Sequence, residues 1–325
     1  MADYAVGLDL GGTSIKCALV SRWDGIVSQA SHDTQAELGP EAVLDNMAGL
    51  VRSAWEDSPG PVAGVGVGSP GIINWARTSV SLPPNLPGWE TVHLGEALST
   101  RLGRETTVLV ENDANVAALG CAHYGAGIPF DSFLMVTLGT GVGGAIIYKN
   151  RIFRGATGGA GEIGHMTIDY NGPADNHGIR GASEAYLGQR FLSAHAAEMV
   201  RAAPHSILKD LLKSPGTDLT PKMVFDAAQK GDAVAAEILA WAGHKLGVLL
   251  GSAVNLLDIR KIVVGGGLSA AGDYIFDSAR STIKQFVTHG LRDGIEIIQE
   301  PRGNDVGVLG AAHLVFQDAD DRDGA

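Results

Sequence analysis

The chain is poor in cysteine: Cys17 and Cys121 are the only two among 325 residues, and both lie inside apolar segments. That leaves little from which to build a disulfide framework and reads as two buried thiols in a reducing cytoplasm. Basic residues are also scarce, with 24 lysines and arginines against 36 aspartates and glutamates and a formal net charge of −12. A nucleic-acid-binding surface needs a basic patch to neutralise phosphates, so this balance argues against one. An anionic substrate would therefore need local help from a metal ion or from helix N-termini. The opening MADYAVGLDLGG has no basic region followed by a long apolar run, so no signal peptide is expected. No stretch reaches the roughly 18 uninterrupted apolar residues of a membrane span. The expectation is a soluble, cytoplasmic protein with no membrane and no nucleic-acid partner. A Pro/Ser-rich linker is missing too, so any domains should meet at a hinge built from ordinary elements.

Glycine, by contrast, is abundant: 45 residues, where roughly 7% is usual. The glycines cluster in short runs after apolar segments, which indicates tight backbone turns rather than disorder. Strand-like and helix-like patterns alternate throughout, and the length allows two domains, so the prediction is α/β. YAVGLDL reads as a buried strand with IKCALV as its hairpin partner, and PEAVLDNMAGLVRSAW as a helix packed on that sheet. VAGVGVGSPG and TTVLVENDAN read as further strands. DSFLMVTLGTGVGGAIIYKN repeats the design of strand, glycine turn and strand. Helices are predicted over 183–201, from the Thr220-Pro221 cap to before Gly231, over 234–257, 274–288 and 305–316, with strands at KIVV and EIIQ. The acidic tail DADDRDGA is expected to fray.

An internal echo stands out. Leu8–Val20 and Val136–Lys149 each hold an apolar strand, a Gly/Thr turn and a second apolar strand, with turns starting at Gly11 and Gly139. Two such hairpins suggest two related domains facing a common ligand, although Gly-rich turns also occur in unrelated α/β chains. In Asp9-Leu10-Gly11-Gly12-Thr13, exposed backbone N–H groups could cradle phosphate oxygens, and Asp9 is placed to hold a hydrated Mg²⁺. A bare hairpin capped by Asp9 is the alternative, and Gly139-Thr140-Gly141 weakens it. Glu111-Asn112-Asp113 ends a strand, where α/β folds bind ligands, so Asp113 is a candidate general base; Asn112 or Asp113 could instead simply cap the next helix. Gly71, in Ser69-Pro70-Gly71, and Asn85, in Pro84-Asn85-Leu86-Pro87-Gly88-Trp89, sit in loops stiffened by proline. Asn85, Asp113, Glu162, His165 and Glu184 together make a polar set suited to a polyhydroxylated ligand, although any one of them alone reads as a surface polar residue. Gly265-Gly266-Gly267 follows a strand and could let a flat or phosphorylated ligand approach, or be a simple turn.

Taken in order, DLGGT, SPG, PNLPGW, ENDAN, LGTGVGGA, GGAGEIGHM and VVGGGLS resemble the ROK family of sugar kinases, its glucokinase members in particular, from about Val6 to Gly310. The resemblance implies an actin-like (ribonuclease H-like) fold of two domains with ATP and sugar meeting in the cleft between them. The implied division is residues 1–117 plus 303–325 as a small domain and 118–302 as a large one. It also implies ATP-dependent phosphorylation of the glucose 6-hydroxyl, with Mg²⁺ and with Asp113 as base. Gly71, Asn85, Asn112, Glu162, His165 and Glu184 would join Asp113 in contacting the sugar. Asp9, Gly11, Gly12, Thr13, Lys16, Gly139, Thr140, Gly141, Gly265, Gly266 and Gly267 would serve ATP. A homodimer is implied as well. The same contacts suit an N-acetylhexosamine or another hexose, polyphosphate as donor, or a sugar-binding regulator without turnover. The family's regulators carry a DNA-binding domain before the kinase-like body, and with Asp9 so near the start none is expected here.

The chain departs from the family at one place. Most members carry a zinc loop, CxCGxxGCxE, whose cysteines join a preceding histidine. In GHMTIDYNGPADNHGIRGASEAY, spanning Gly164 to Tyr186, the three cysteine positions hold Asp175, His177 and Ala182. His165, Asp175 and His177 could still ligate a metal, but Ala182 supplies no fourth ligand, so zinc is not expected. The expectation is a loop held by polar contacts such as an exposed Asp175–Arg180 pair, and hence open to flexibility.

Overall fold

The computed structural model describes residues 2–103, 106–203, 205–213 and 218–323. The chain opens with β1 (Tyr4–Leu10), β2 (Ser14–Ser21) and β3 (Gly25–Asp33), which pair antiparallel in sequence order. Helix α1 (Pro40–Glu56) returns the chain to β4 (Val62–Ser69), which runs parallel to β1. The short strands β5 (Ile72–Ile73), β6 (Val80–Ser81) and β7 (Thr91–Val92) make a small sheet of their own. Helix α2 (Leu94–Leu102) then leads to β8 (Val108–Asn112), parallel to β4, and α3 (Asp113–Tyr124) follows without a loop. The resulting sheet has the order β3-β2-β1-β4-β8.

This sheet is covered on both faces, which is why its strands read as near-continuous apolar runs. Val6, Leu8 and Leu10 share a core with Val43, Met47 and Val51 of α1. Ala5, Ala18 and Val20 face the other way, onto Val308, Ala312 and Phe316 near the C-terminus. Gly7 and Gly66 are register partners on that second face, and a Cβ on either would run into the carbonyl of Val308 or Ala311. Glycine there lets a helix backbone lie directly on the sheet.

The design then recurs. Strands β9 (Phe133–Leu138), β10 (Val142–Tyr148) and β11 (Arg151–Ile152) are followed by α4 (Glu184–Leu187), α5 (Gln189–Ala202), α6 (Pro221–Gln229) and α7 (Ala233–Leu257). Next come β12 (Lys261–Gly265), α8 (Asp273–Phe286), β13 (Glu296–Gln299) and α9 (Asp305–Asp323). The second large sheet has the order β11-β10-β9-β12-β13, the same hairpin flanked by two parallel additions. The sequence echo is therefore a repeat of sheet topology and not of a turn alone.

By length and composition α7 is apolar enough to cross a membrane, and half of its most apolar window is buried. Its interior placement accounts for that composition. Gly243, Gly247 and Gly251 lie one turn apart against Ile275, Thr282 and Phe286, with no room for a Cβ.

Two expectations are corrected. The helix predicted over 183–201 is broken at Gly188 into α4 and α5. The acidic tail continues α9 to Asp323 instead of fraying, with Asp320 paired to Arg22 at 2.7 Å, Asp321 to Arg151, and Arg322 to Asp318 at helical spacing. The compact units are Met1–Ser132 with Ala145–Gly161 and Arg302–Ala325, and Phe133–Gly144 with Glu162–Pro301. Helix α3 packs along α9 and lies whole in the first unit.

Candidate functional site

In the first unit the turn between β1 and β2 is closed by Gly11 N–H donating to Ser14 O at 3.0 Å. Thr34 braces it from outside, its hydroxyl donating to Gly11 O at 2.6 Å and its N–H to Thr13 O at 2.9 Å. Gly12 lies against Asn85, whose own backbone is left-handed with φ 65°. Leu86 and Trp89, nearly fully buried, anchor the Asn85 loop. Gly71, at φ 97°, packs on Pro83 of the same loop. Thus Gly71, Asn85 and the Gly11–Thr13 turn, far apart in sequence, are brought together by the first unit.

The end of β8 answers the capping question. Asn112 is the cap of α3, its side-chain oxygen accepting from the N–H groups of Ala114 at 3.0 Å and Asn115 at 3.3 Å. Asp113 is the first helical residue, and its side chain stays accessible while taking a 2.9 Å bond from Ala114 N–H. Desolvation raises the Asp113 carboxyl pKa, with the Ala114 and Asn112 contacts opposing it. Asp9, facing Lys16 in the β1–β2 register, is pushed up to about 6 by burial and then by the charge of Asp113, against the pull of Lys16. The charge of Asp113 thus acts on Asp9, and Lys16 partly offsets it.

Below them lies a cluster that sequence reasoning missed. Glu111 is fully buried between Arg77 Nε at 2.9 Å and Arg154 Nε at 2.8 Å. Its other oxygen accepts from Asn112 N–H at 3.0 Å and Asn115 Nδ2 at 3.1 Å. Arg154 also donates to the carbonyls of Trp75 and Asn74. This network fixes the backbone from which Asn112 and Asp113 project.

In the second unit, Glu184 opens α4 and accepts the Val142 N–H at 3.0 Å. Gly141 leaves room for that carboxylate, which a Cβ there would push aside. Ser183 stitches this point to the turn carrying Glu162 and His165, its hydroxyl lying 3.0 Å from Ile163 O and 2.9 Å from Gly164 O. Glu162, His165, Glu184 and the Gly139–Gly141 turn are therefore assembled by the unit's own backbone. The carbonyls of Gly139 and Thr140 accept from Gln189 N–H at the start of α5. Gly265 ends β12, and Gly266, at φ 83°, passes so close to Leu138 that a Cβ would strike its backbone. A cavity of about 400 Å³ then opens between Gly139, Gly267, Leu268 and the first turns of α6, where Thr220, Pro221, Lys222 and Phe225 form the opposite wall. Its size and mainly apolar lining suit a nucleoside. The α6 wall was not foreseen, since Thr220-Pro221 reads from sequence only as a helix start.

The loop from Gly164 to Tyr186 is not held as expected. Asp175 does not pair with Arg180; its side chain is buried, with Oδ2 2.8 Å from His165 Nδ1 and Oδ1 accepting from His177 N–H at 2.9 Å and Ile179 N–H at 2.8 Å. Burial alone would raise its pKa, but the bonds from Ile179, His165 and His177 hold the carboxyl below the usual carboxylate range. Arg180 uses its backbone instead, bridging Ala174 and accepting from the Thr167 hydroxyl at 3.1 Å. Against a tetrahedral zinc ion these donors fit poorly: Asp175 is committed to three N–H groups, the His177 ring stands edge-on to His165 at 4.7 Å, and Ala182 is buried. Among the described residues no group of three or more His, Cys, Asp and Glu is arranged for a metal.

A repeated sheet, glycine turns at matching strand ends and an acidic pair beside one of them mark an α/β protein of two units. The chain belongs to the ROK family, whose model matches residues 5–318. It is 32% identical to a glucokinase of Thermotoga maritima across 95% of this chain and 96% of that one. Against a glucokinase of Streptomyces coelicolor the identity is 34% across 95% and 96%. A solved ROK family glucokinase from Streptomyces griseus, in complex with glucose and AMPPNP, superposes with a TM-score of 0.83 at 31% identity, covering 97% of this chain and 99% of that one.

Proposed function

We propose that this chain is a glucokinase that transfers the γ-phosphoryl group of ATP to the 6-hydroxyl of glucose. The observation that carries the reading is Asp113: an accessible carboxylate at the end of a parallel strand, with a raised pKa and a rigid backbone behind it. Its full-length likeness to glucokinases, one holding glucose and AMPPNP, supports the choice of substrates. Asp113 would accept the proton of the attacking hydroxyl, and its raised pKa makes it a better base for that purpose. Asn85, Asn112, Glu162, His165 and Glu184 would orient the sugar. The turns at Gly11–Thr13 and Gly139–Gly141 would hold phosphates by backbone N–H groups, with Lys16 nearby. The cavity beside Gly267 and Phe225 would take the adenosine. Asp9 would hold Mg²⁺, which when bound neutralises phosphate charge. Positioning of this kind supplies most of the catalysis in phosphoryl transfer.

The test is a coupled assay over glucose, mannose, N-acetylglucosamine and N-acetylmannosamine, each with ATP and with polyphosphate. Glucose with ATP should give the highest kcat/KM. In the same assay Asp113→Ala should lower kcat by about 10²–10⁴-fold, while glucose affinity measured by calorimetry changes little. A preference for an N-acetylhexosamine or for polyphosphate, or sugar binding without turnover, would overturn the reading.

A further inference from the structure

The buried carboxylate of Asp175 makes a chemical demand on its neighbours. Three N–H donors converge on it: the ring Nδ1 of His165 and the backbone amides of His177 and Ile179. An ionised carboxylate can only accept, so a neutral His165 ring must carry its proton on Nδ1. The lone pair is then left on Nε2, which lies 3.9 Å from Glu162 Oε2, too far for a direct bond. Two acceptors on one edge of the loop match two hydroxyls on neighbouring carbons, each donating to one of them. Ser183 holds that edge in place through the carbonyls of Ile163 and Gly164.

We propose that Asp175 is a positioning residue: it fixes His165 as the Nδ1–H tautomer, so that Nε2 and Glu162 present paired acceptors to vicinal sugar hydroxyls, with no metal ion needed in the loop. The proposal rests on the sugar-kinase reading, but its central claim concerns a tautomer and is measurable without sugar. An asparagine in place of Asp175 cannot do the same job. If its carbonyl oxygen serves the two amides, its NH₂ group faces His165 and forces the proton to Nε2; if it turns round, NH₂ meets two N–H donors.

Long-range ¹H–¹⁵N spectra of the full chain, with His165 assigned by comparison with His165→Gln, read the tautomer directly. Wild type should show Nε2 unprotonated, and Asp175→Asn should shift the ring towards Nε2–H or broaden the signal. In the kinase assay Asp175→Asn should raise the KM for glucose about tenfold or more with the KM for ATP and kcat within about threefold, a factor of ten corresponding to about 1.4 kcal/mol. The purified protein should hold no stoichiometric zinc, and chelator should leave glucose affinity unchanged. An Nε2–H ring in wild type overturns the proposal, as does stoichiometric zinc whose removal abolishes sugar affinity. An Asp175→Asn variant with wild-type spectra and KM overturns it too, because Asp175 would then only fill space. Absence of hexose turnover in wild type would count against the kinase reading, and the wild-type spectra would still decide the tautomer.

Discussion

The two glycine turns sit at the same place in sheets of the same strand order, yet they are flanked by opposite chemistry. Two residues before the first turn stands Asp9, and five after its start stands Lys16; the matching positions of the second turn hold Thr137 and Gly144. The first unit concentrates charge beside its turn, with Asp9, Asp113 and the buried Glu111 within a few residues of strand ends. The second has no charged residue in the strand positions flanking its turn, brings the Glu184 carboxylate in from α4, and opens an apolar cavity next to it. One strand order thus carries two different surroundings: fixed carboxylates beside the first turn, and apolar walls with closely approaching backbone beside the second.

The comparison breaks most visibly where the first unit buries its charge. Arg154 is 7% exposed and Glu111 is 0% exposed, whereas the second unit's Lys222–Asp226 pair on α6 is largely in water. Arg154→Met should cost about 3–5 kcal/mol, because Glu111 keeps its charge and loses a partner. Lys222→Met should cost about 0–1 kcal/mol, since surface pairs are solvated and screened. Urea unfolding of both variants measures the difference. An Arg154→Met protein within 1 kcal/mol of wild type, on the scale of those same estimates, would show that Arg77 alone suffices for Glu111.

A second test asks whether the charge beside the first turn is used. Asp9→Asn keeps the shape and removes the carboxylate, and should lower kcat by about 10²–10³-fold, the range found when a fixed electrostatic group is lost from a reacting centre. Thr137→Val, at the matching place in the second unit, should stay within about threefold, since no reacting charge is assigned there. Equal losses at both positions would mean that the turns are equivalent and that their difference in charge is incidental.

Sequence made much of this legible, and the failures share a cause. Strand-end carboxylates such as Asp9 and Asp113 are visible because a strand, a turn and an acid lie within a few residues. The repeated hairpin is visible because its glycines recur in the same frame. The Arg154–Glu111 network and the wall of the cavity formed by Thr220 and Phe225 are not, because they join segments distant in the chain and carry no spacing that marks them. Asp175 was legible as a substitution but not as a hub: its partners are one ring nitrogen and two backbone amides, and an amide is the same in every sequence. Strand β3 and helix α2 went unread for a different reason, since β3 is mostly exposed and α2 is short.

The smallest expected effect separates the units by their histidines. In the first, His313 stacks on His123 with ring centroids 3.5 Å apart, and its pKa falls to about 3 through burial, then the charge of His123 and that of Arg22. In the second, His195 stacks on Trp241 at 3.7 Å, and burial lowers its pKa, partly offset by Glu198. A histidine whose folded pKa is depressed contributes nothing to the pH dependence above the unfolded value of about 6.5. As pH falls below it, the unfolded chain binds a proton that the native fold refuses, so stability declines until the folded pKa is reached. For His313 that window runs from about 6.5 down to about 3, with a slope of about 1.4 kcal/mol per pH unit. His313→Leu should remove one proton from this slope between pH 6 and pH 4.5, in denaturant unfolding followed at several pH values. His195→Leu should flatten the acid limb less, because burial and the charge of Lys245 lower its pKa against the opposing field of Glu198. If the two variants flatten the acid limb equally, the stacked histidine pair carries no electrostatic cost beyond simple burial, and the contrast between the units ends at their turns.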